Sequence, residues 1–271
     1  MVTSTTIEAS RAYGRSMDPH TPRSREADAF LESRQHTAAD IVSACDGWTA
    51  HEITAHLMGA AAEVIRHLEP HLAGEPVPAT RSFEEREPPY RAIDDRALCD
   101  ALVPEEARVR ALIDEAVARD PEATIPWTGR QMPVAKFLPH LRSELAIHRW
   151  DIVGDDDIST ELLGQADLTG HAVGVLGEML LLRGRARDPA PGEDLHVRLR
   201  SNGAADIRLV VENGQPSLQL TDEPGDEPYV ELDAAARTLV IWGRRPDHRG
   251  RFRSHLSESM LTRVQLLLSG Y

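Results

Sequence analysis

The chain has 271 residues, of which 41% are hydrophobic and 27% charged, and this ordinary globular usage excludes a disordered or fibrous class. Its formal net charge of −14 argues against a general affinity for nucleic acid or anionic membranes, because both require an excess of Lys and Arg on one face. No apolar run approaches the roughly 20 residues of a membrane-spanning helix, and residues 1–22 lack the apolar core of a signal peptide, so we expect a cytoplasmic protein.

The first predicted elements are a flexible arm and two helices. Residues 1–23 show no sustained periodicity and contain Gly14, Pro19 and Pro22, which favours an arm. Helical spacing of apolar residues begins at Glu26. The clearest helix start follows at Thr49, a favoured N-cap with Glu52 three residues later, as in a capping box. The inward face of this helix is predicted to carry Ile53, His56, Leu57, Ala60 and Val64.

Two further helices complete a predicted four-helix bundle. One covers Asp95 to Arg119, where Pro104 either kinks the helix or marks its true beginning. Pro126, Gly129 and Pro133 then indicate a turn-rich link, and residues 134–154 are predicted to form the fourth helix. Helices of this length, antiparallel and joined by loops, are typical of an up-and-down bundle, to which we assign residues 24–157.

In the second half of the chain the hydrophobic period changes from helical to strand-like. The acidic run at 155–157 is interpreted as a solvated junction, and one more helix is predicted at Gln165 to Arg183. LHVRLR at 195–200 then alternates strictly and IRLVV follows, while Asn213-Gly214 is a strong hairpin-turn signal before SLQL.

The last predicted elements are one strand and two helices. The strand covers Tyr229 to Leu232, Asp233 is the expected cap of the helix after it, and Glu258 to Leu268 forms the closing helix. The fold class is therefore α+β: a four-helix bundle followed by a small α/β domain, built on an antiparallel sheet, at residues 158–271.

A glutamate and a histidine on one helix are the main sign of chemistry in the sequence. Glu144 and His148 are four residues apart, so their side chains leave one face of a helix about 5 to 6 Å apart at Cβ and could bind one metal ion. A catalytic Zn²⁺ site uses three protein ligands and leaves one position open, so the third ligand must come from another helix. His56 is the candidate, because it lies among inward-facing apolar residues. The alternative is an ordinary surface pair of Glu144 and His148.

Two other kinds of metal site are excluded. Cys45 and Cys99 are too few for a cysteine-based zinc site, so any metal depends on histidines and carboxylates. His51 and Glu52 look like the start of a zinc-protease motif, but that motif needs a second His four residues after the first, and position 55 is Ala.

Two neighbours of the Glu144 and His148 pair are further candidates for the site. Asp151, three residues after His148, is suited either to orient the imidazole or to cap the end of the helix. His140 lies four residues before Glu144 on the same face, where it could line the cavity beside a bound cofactor. For His140 the alternative is a packed or surface histidine.

Two motifs resemble those of a known family. GWTAHEITAHL at 47–57 resembles the GWT…dlvaHL opening, and SELAIHRWDIVG at 143–154 resembles the E…H..D helix, of the mycothiol-dependent maleylpyruvate isomerase-like proteins in the DinB-like superfamily. The order and separation of the motifs match as well. The resemblance implies the same layout over nearly the whole chain, a metal-binding four-helix bundle followed by a small α/β domain.

The resemblance also implies roles for individual residues. It makes His56, Glu144 and His148 the metal ligands, with Zn²⁺ as the usual ion and water or a thiol in the open position. In the same family a Gly-Arg pair near the end of the C-terminal domain supplies a substrate-binding arginine. The matching stretch is WGRR at 242–245, which assigns Arg244 to the substrate and thiol site, with the adjacent Arg245 as the alternative.

Three hypotheses for the function follow. The first is a mycothiol-dependent isomerase, in which a thiolate bound to the metal adds to an electrophilic double bond and is expelled after rotation. The second is a mycothiol S-transferase that keeps the adduct, and the third is a non-catalytic, metal-free binding or regulatory protein. In the first two, Arg244 could hold a substrate carboxylate by a two-point contact. The expected partners are a small acid and a low-molecular-weight thiol, without nucleic acid or membrane, and the chain is expected to be a monomer or small homo-oligomer.

Overall fold

The computed structural model describes residues 23–246 and 251–269, so the arm predicted at residues 1–23 lies outside the described residues except for Arg23. The first half of the chain is mostly helical. Its elements are α1 (Arg25–Gln35), α2 (Ala50–Ala73), α3 (Phe83–Arg86), α4 (Pro88–Arg91), α5 (Asp95–Arg119), β1 (Thr124–Trp127), β2 (Arg130–Pro133) and α6 (Phe137–Val153).

Helix α2 begins as the sequence predicts. The side-chain oxygen of Thr49 accepts the backbone N–H of Glu52, and the Glu52 carboxylate accepts the backbone N–H of Thr49 at 2.8 Å, which completes the capping box. The helix ends at Gly74, whose φ of 72° lies in the left-handed region that glycine adopts without strain. The predicted start of α2 is therefore confirmed by the reciprocal capping of Thr49 and Glu52.

The predicted helix from Asp95 to Arg119 is confirmed, whereas the turn-rich link predicted after it is corrected. Helix α5 begins at Asp95 after the N-cap Asp94, so Pro104 lies inside the helix and does not mark its beginning. The predicted turn-rich link is an antiparallel hairpin, with β1 paired to β2 through a turn at Thr128 and Gly129, which both have positive φ. Proline is tolerated in these strands because the hairpin has only edge strands.

The four long helices of this half pack on one another. Helix α2 lies against α5 and α6, and α1 lies against α6. Their buried apolar side chains form two groups. One includes Val64, Leu68, Val109, Ile113 and Phe137, and the other Phe30, Ile53, Leu57, Leu98 and Leu145. The bundle therefore holds the inward faces of α2 and α6 against each other. No described helix has the length and apolar character needed to cross a membrane.

The second half begins with short helices and continues as a sheet. Its elements are α7 (Asp157–Leu163), α8 (Ala166–His171), a π-helical turn at Ala172–Leu176, α9 (Gly177–Arg185), β3 (Leu195–Arg200), β4 (Asp206–Glu212), β5 (Gln215–Thr221), β6 (Tyr229–Leu232), α10 (Ala234–Ile241), β7 (Phe252–Ser254) and α11 (Glu258–Leu267).

The acidic run at residues 155–157 is not simply a solvated junction. Asp156 is the N-cap of α7, where its carboxylate accepts the backbone N–H of Ser159 at 2.6 Å. The same carboxylate pairs with both terminal nitrogens of the Arg149 guanidinium at 2.7 Å. Asp155 accepts a hydrogen bond from the indole of Trp150. The run therefore starts a helix and fixes it to the end of α6.

The sheet has the strand order β5-β4-β3-β6-β7. Its neighbours are antiparallel except for β3 and β6, which run parallel, so the predicted antiparallel sheet contains one parallel pair. The hairpin between β4 and β5 turns at Asn213 and Gly214, with φ of 52° and 70°, as the sequence predicts. Asp233 caps α10 by accepting the backbone N–H of Ala236, also as predicted.

Helix α6 contributes to the apolar cores of both halves. Leu145 belongs to the bundle core, whereas Ala146, Ile147 and Trp150 are buried in one cluster with side chains of the sheet and of α10. The helix that carries Glu144 and His148 therefore lies where the bundle meets the C-terminal half. Side chains from both halves can therefore reach the part of α6 that carries Glu144 and His148.

Candidate metal centre

The three predicted ligands, His56 of α2 with Glu144 and His148 of α6, come together in the structure. Glu144 Oε2 lies 3.3 Å from His56 Nε2 and 3.3 Å from His148 Nε2. One ligand atom from each residue lies within 4.8 Å of the others, and all three side chains are buried. Two turns of α2 after its capping box, and the four-residue spacing on α6, produce this convergence.

The opposite nitrogens of both imidazoles are bound to carboxylates. His56 Nδ1 lies 2.7 Å from Glu87 Oε1, and His148 Nδ1 lies 2.9 Å from Asp151 Oδ2. An ionised carboxylate only accepts, so each Nδ1 carries the hydrogen and donates it. The lone pair of a neutral imidazole is then on Nε2, the atom that faces Glu144. This arrangement is the one in which histidines bind metal ions, with a carboxylate behind each ring.

The carboxylates of the centre are held in their ionised form. Burial opposes ionisation of Glu144, but when the imidazoles of His148 and His56 are protonated, their Nε2–H groups donate to this carboxylate and keep its pKa well below the usual range. Asp151 is buried too, and hydrogen bonds from His148 and Arg244 lower its pKa. The pKa of Glu87 is lowered in the same way by His56 and Arg91 against the effect of burial. The centre is therefore anionic and suited to a cation.

The spacing of the donor atoms fits a tetrahedral ion. With metal bonds of about 2.0 to 2.2 Å, two ligands of a tetrahedral Zn²⁺ lie roughly 3.3 to 3.6 Å apart. Both nitrogen-to-oxygen distances, 3.3 Å from Glu144 Oε2, agree with this separation. Two neutral nitrogens directed at one carboxylate oxygen would repel it, whereas a shared cation makes both contacts favourable. The residues present therefore fit the ion that the sequence resemblance implies.

Arg244, predicted to bind the substrate, reaches this centre from the C-terminal half. Its Nε and Nη2 donate to the two carboxylate oxygens of Asp151 at 3.0 and 2.7 Å, and its Nη1 donates to the backbone oxygen of Trp242. The side chain is buried, whereas the adjacent Arg245 is exposed. Asp151 is thus held by His148 on one side and Arg244 on the other, which accounts for the orienting role that the sequence left open against helix capping.

His140, the other predicted cofactor-site residue, lies next to Glu144 and pairs with the buried His171, while its own side chain is partly exposed. Its Nε2 lies 3.8 Å from Glu144 Oε1, and its Nδ1 lies 3.3 Å from His171 Nε2. Burial lowers the pKa of His140, and burial together with His140 lowers the pKa of His171 to about 3. Both imidazoles are therefore neutral at pH 7. The Nδ1 of His171 has no hydrogen-bond partner in the described part of the chain.

Two aromatic rings flank the imidazoles. The ring centroids of Trp48 and Phe83 lie 4.9 and 5.3 Å from that of His56, and Trp48 stacks on His148 at 6.2 Å. The guanidinium of Arg86 lies over the ring of Phe83, 4.6 Å from its centroid. Phe83 is nevertheless 45% exposed, so this side of the centre is open to solvent.

A cysteine lies close to the same centre. One ligand-type atom each from Cys45, His148 and Asp151 lies within 4.8 Å of the others. Burial raises the pKa of the Cys45 thiol to about 11, so the thiol is protonated at neutral pH. Asp151 already accepts from His148 Nδ1 and from Arg244, whereas His56 and His148 both direct Nε2 at Glu144 Oε2, so His56, Glu144 and His148 form the better metal site.

Comparison with known proteins identifies a related family and a shared fold. Residues 21–153 match the family model of the mycothiol maleylpyruvate isomerase N-terminal domain. The N-terminal half of the chain belongs to this family. The mycothiol maleylpyruvate isomerase domain ends with α6, so it includes His56, Glu144, His148 and Asp151 but not Arg244.

Two solved structures are similar to the chain in fold. They are the mycothiol-dependent maleylpyruvate isomerase and a histidine-to-alanine mutant of that enzyme, with 15% and 16% sequence identity. Each has a TM-score of 0.55 and is matched over 85% of this chain and 88% of its own length. No curated protein sequence matches the chain. The similarity therefore extends the common fold beyond the N-terminal domain into the C-terminal half.

One residue of the centre, Glu87, is missed by sequence reasoning. It lies at the junction of α3 and α4 in the segment EEREPPY, where two prolines leave no helical periodicity to place it. Its surroundings come from distant residues, since it contacts α2 at His56. The sequence pattern alone therefore does not show that Glu87 is buried beside His56, and only the folded chain does.

Proposed function

We propose that the chain is a metal-dependent enzyme of the maleylpyruvate isomerase type, which uses mycothiol to act on a small electrophilic acid. The observation that carries this proposal is the convergence of His56, Glu144 and His148 at donor distances suited to one ion. The family of the N-terminal domain supports the choice of mycothiol as the thiol.

The protein side chains have separate tasks in this proposal. His56, Glu144 and His148 would hold the ion, and a Zn²⁺ held there would supply a low-molecular-weight thiol in its thiolate form at neutral pH. Glu87 and Asp151 keep the hydrogen on each Nδ1, and the lone pair of each Nε2 therefore stays available to bind the ion. The lowered pKa values of Glu87 and Asp151 keep both carboxylates ionised at neutral pH.

We propose a positioning role for Arg244. The edge of its guanidinium formed by Nε and Nη2 is used by Asp151, and Asp151 holds His148. Arg244 therefore acts on the ion through two intervening side chains. A direct contact between Arg244 and a substrate carboxylate, which the resemblance implies, stays a prediction.

The surroundings of the centre suit a reaction of a thiolate with an acid. Trp48 packs against both His56 and His148 and covers one side of the imidazoles, whereas the side of Phe83 is open to substrate. The Arg86 guanidinium beside Phe83 provides positive charge near the open side, which attracts an anionic substrate to an otherwise acidic protein. Addition of the thiolate to the double bond, rotation about the resulting single bond and expulsion of the thiol would convert the cis isomer to the trans isomer.

Metal-loaded full-length protein incubated with mycothiol and maleylpyruvate tests the proposal. We expect fumarylpyruvate to form while the amount of mycothiol stays constant, and we expect no formation with Glu144→Gln. Glu161→Gln, a matched change at an exposed ion pair, serves as the control. A stable mycothiol adduct without fumarylpyruvate would replace isomerisation by S-transfer. The absence of both products would reject thiol chemistry on this substrate.

A further inference from the structure

A second site lies in the C-terminal half, apart from the metal centre. A cavity of about 310 Å³ opens between the sheet and the helices α10 and α11. Its walls are apolar and include Leu199, Val230, Val240, Phe252 and Val264. None of the metal-ligand candidates is among the described residues that line it. The cavity is therefore distinct from the place where the ion would be bound.

The volume of this half-open cavity is that of a small ligand pocket and exceeds the voids found within protein cores. Protein cores are close-packed, with few voids larger than a water molecule. Ligand pockets begin at about 300 Å³ and are mostly apolar with a few polar groups. A water molecule occupies about 30 Å³ in the liquid. If each non-hydrogen atom of a ligand takes a similar volume, the cavity has room for roughly ten of them.

The polar lining of the cavity favours a negative charge on the ligand. Arg244, Arg245 and Gln265 are the polar side chains among the described lining residues, and no acidic side chain is among them. Arg244 is engaged by Asp151, so its charge is already compensated. Arg245 is exposed, and no ion pair of Arg245 is present within the described ranges. The protein has a net charge of −14, so an arginine at an apolar cavity gives that cavity a local positive charge that attracts an anion.

We infer that this cavity binds an amphipathic monocarboxylate, with its apolar chain between the sheet and α11 and its carboxylate at Arg245. An acid with a short hydrocarbon chain matches both the volume of the cavity and the exposed guanidinium of Arg245 among the described lining residues. Arg244 lines this cavity and also holds Asp151 at the metal centre, but the inferred carboxylate contact is made by Arg245 and does not depend on the proposed thiol chemistry.

Calorimetric titration of the full-length protein with octanoate tests this inference. We expect one saturable site and binding that is weaker by about fivefold for octanamide, which has the same length without the charge. Arg245→Gln should weaken octanoate to a similar extent. Because a carboxylate could instead bind a metal ion, chelator-treated protein should bind octanoate with unchanged affinity.

A steric variant completes the test. Gln265→Trp places a large side chain at the cavity from the half-buried face of α11 and should weaken octanoate binding by about tenfold or more. Leu182→Trp, at an exposed position of α9, is the matched control and should bind as the unchanged protein does. Thermal melting of both variants reports whether they are folded. No saturable binding, equal binding of octanoate and octanamide, or loss of binding on chelation would overturn the inference.

Discussion

At the scale of single residues, Asp151 joins the two halves of the molecule to the metal centre. Its carboxylate accepts from His148 Nδ1 at 2.9 Å and from two nitrogens of Arg244. The side chain is fully buried, so a change that removes its charge cannot be compensated by water. We therefore expect the loss of this charge to weaken metal binding and not only to lower the stability of the fold.

Asp151→Asn should lower the affinity for Zn²⁺ by about 10- to 100-fold, because carboxylates behind metal-bound histidines orient the ring and raise its basicity. Competition with a chromophoric chelator measures this affinity. Asp157→Asn, the same change at an exposed position six residues later, should leave it unchanged. Equal affinity in Asp151→Asn and the unchanged protein would show that Asp151 only maintains the fold.

The residues of the centre differ in how far the sequence could predict them. Glu144 and His148 follow from helical spacing, and the apolar neighbours of His56 correctly place it on an inward face. The pairing of Asp151 with Arg244 joins residues 93 positions apart, and the pattern of neither segment contains information about the other. Glu87 is unpredictable for the same reason, since only the folded chain brings it to His56.

At the scale of elements, Glu63 fixes the loop after α2 to the helix. Its fully buried carboxylate accepts from Arg66 on the same helix and from both the backbone and the side chain of Arg81. Burial opposes its ionisation, but these hydrogen bonds lower the pKa of Glu63 to about 2. The loop leads directly into α3 and Glu87, so this anchor also supports the metal centre.

Glu63→Gln should destabilise the protein by about 2 kcal/mol at pH 7, a value reduced because both arginines are partly exposed. A carboxyl with a depressed folded pKa contributes its full stability above its unfolded pKa of about 4.3 and loses it as the pH falls towards 2. Urea unfolding should therefore show equal differences between the two proteins at pH 7 and 5, and a difference smaller by about a third at pH 3.5.

The exposed pair of Glu161 and Arg25 provides the control for this prediction. Glu161→Gln should change the free energy of unfolding little at any of these pH values, because exposed ion pairs are screened by solvent. If the Glu63→Gln difference did not depend on pH between 5 and 3.5, the buried carboxylate would not titrate as the geometry requires.

Elements with strong local signals are the ones that the sequence predicts well. The Thr49 capping box and the Asn213-Gly214 turn fix α2 and the β4 to β5 hairpin through neighbouring residues alone. The β1 to β2 hairpin was missed because Pro126 and Pro133 argue against strands, and only its isolation as a two-stranded sheet makes them acceptable. Helix α7 was missed because an acidic run resembles a solvated loop until Asp156 meets Ser159.

At the scale of the whole molecule, the two halves share helix α6. Ile147 and Trp150 are 1% and 7% exposed because the C-terminal half covers them. The domain boundary that we propose at residues 157 and 158 therefore separates segments that are not independent in packing. Arg244 adds a polar connection at the same place.

A fragment of residues 1–157 should be less stable than the full chain by about 4 kcal/mol, since it exposes Ile147 and Trp150 and loses Arg244. Circular dichroism during thermal unfolding measures the difference, and the fragment should also bind Zn²⁺ more weakly. A fragment that melts at the same temperature and as cooperatively as the full chain would show that the bundle folds independently.

The stoichiometry of metal binding tests the central claim most directly. Full-length protein dialysed against Zn²⁺ and then against metal-free buffer should retain one ion per chain by elemental analysis. The same treatment of His56→Ala and Glu144→Ala should leave little or none, while Glu161→Gln should retain as much as the unchanged protein. A folded, unchanged protein that retains no ion, or the same amount in all four proteins, would contradict a metal centre formed by these residues.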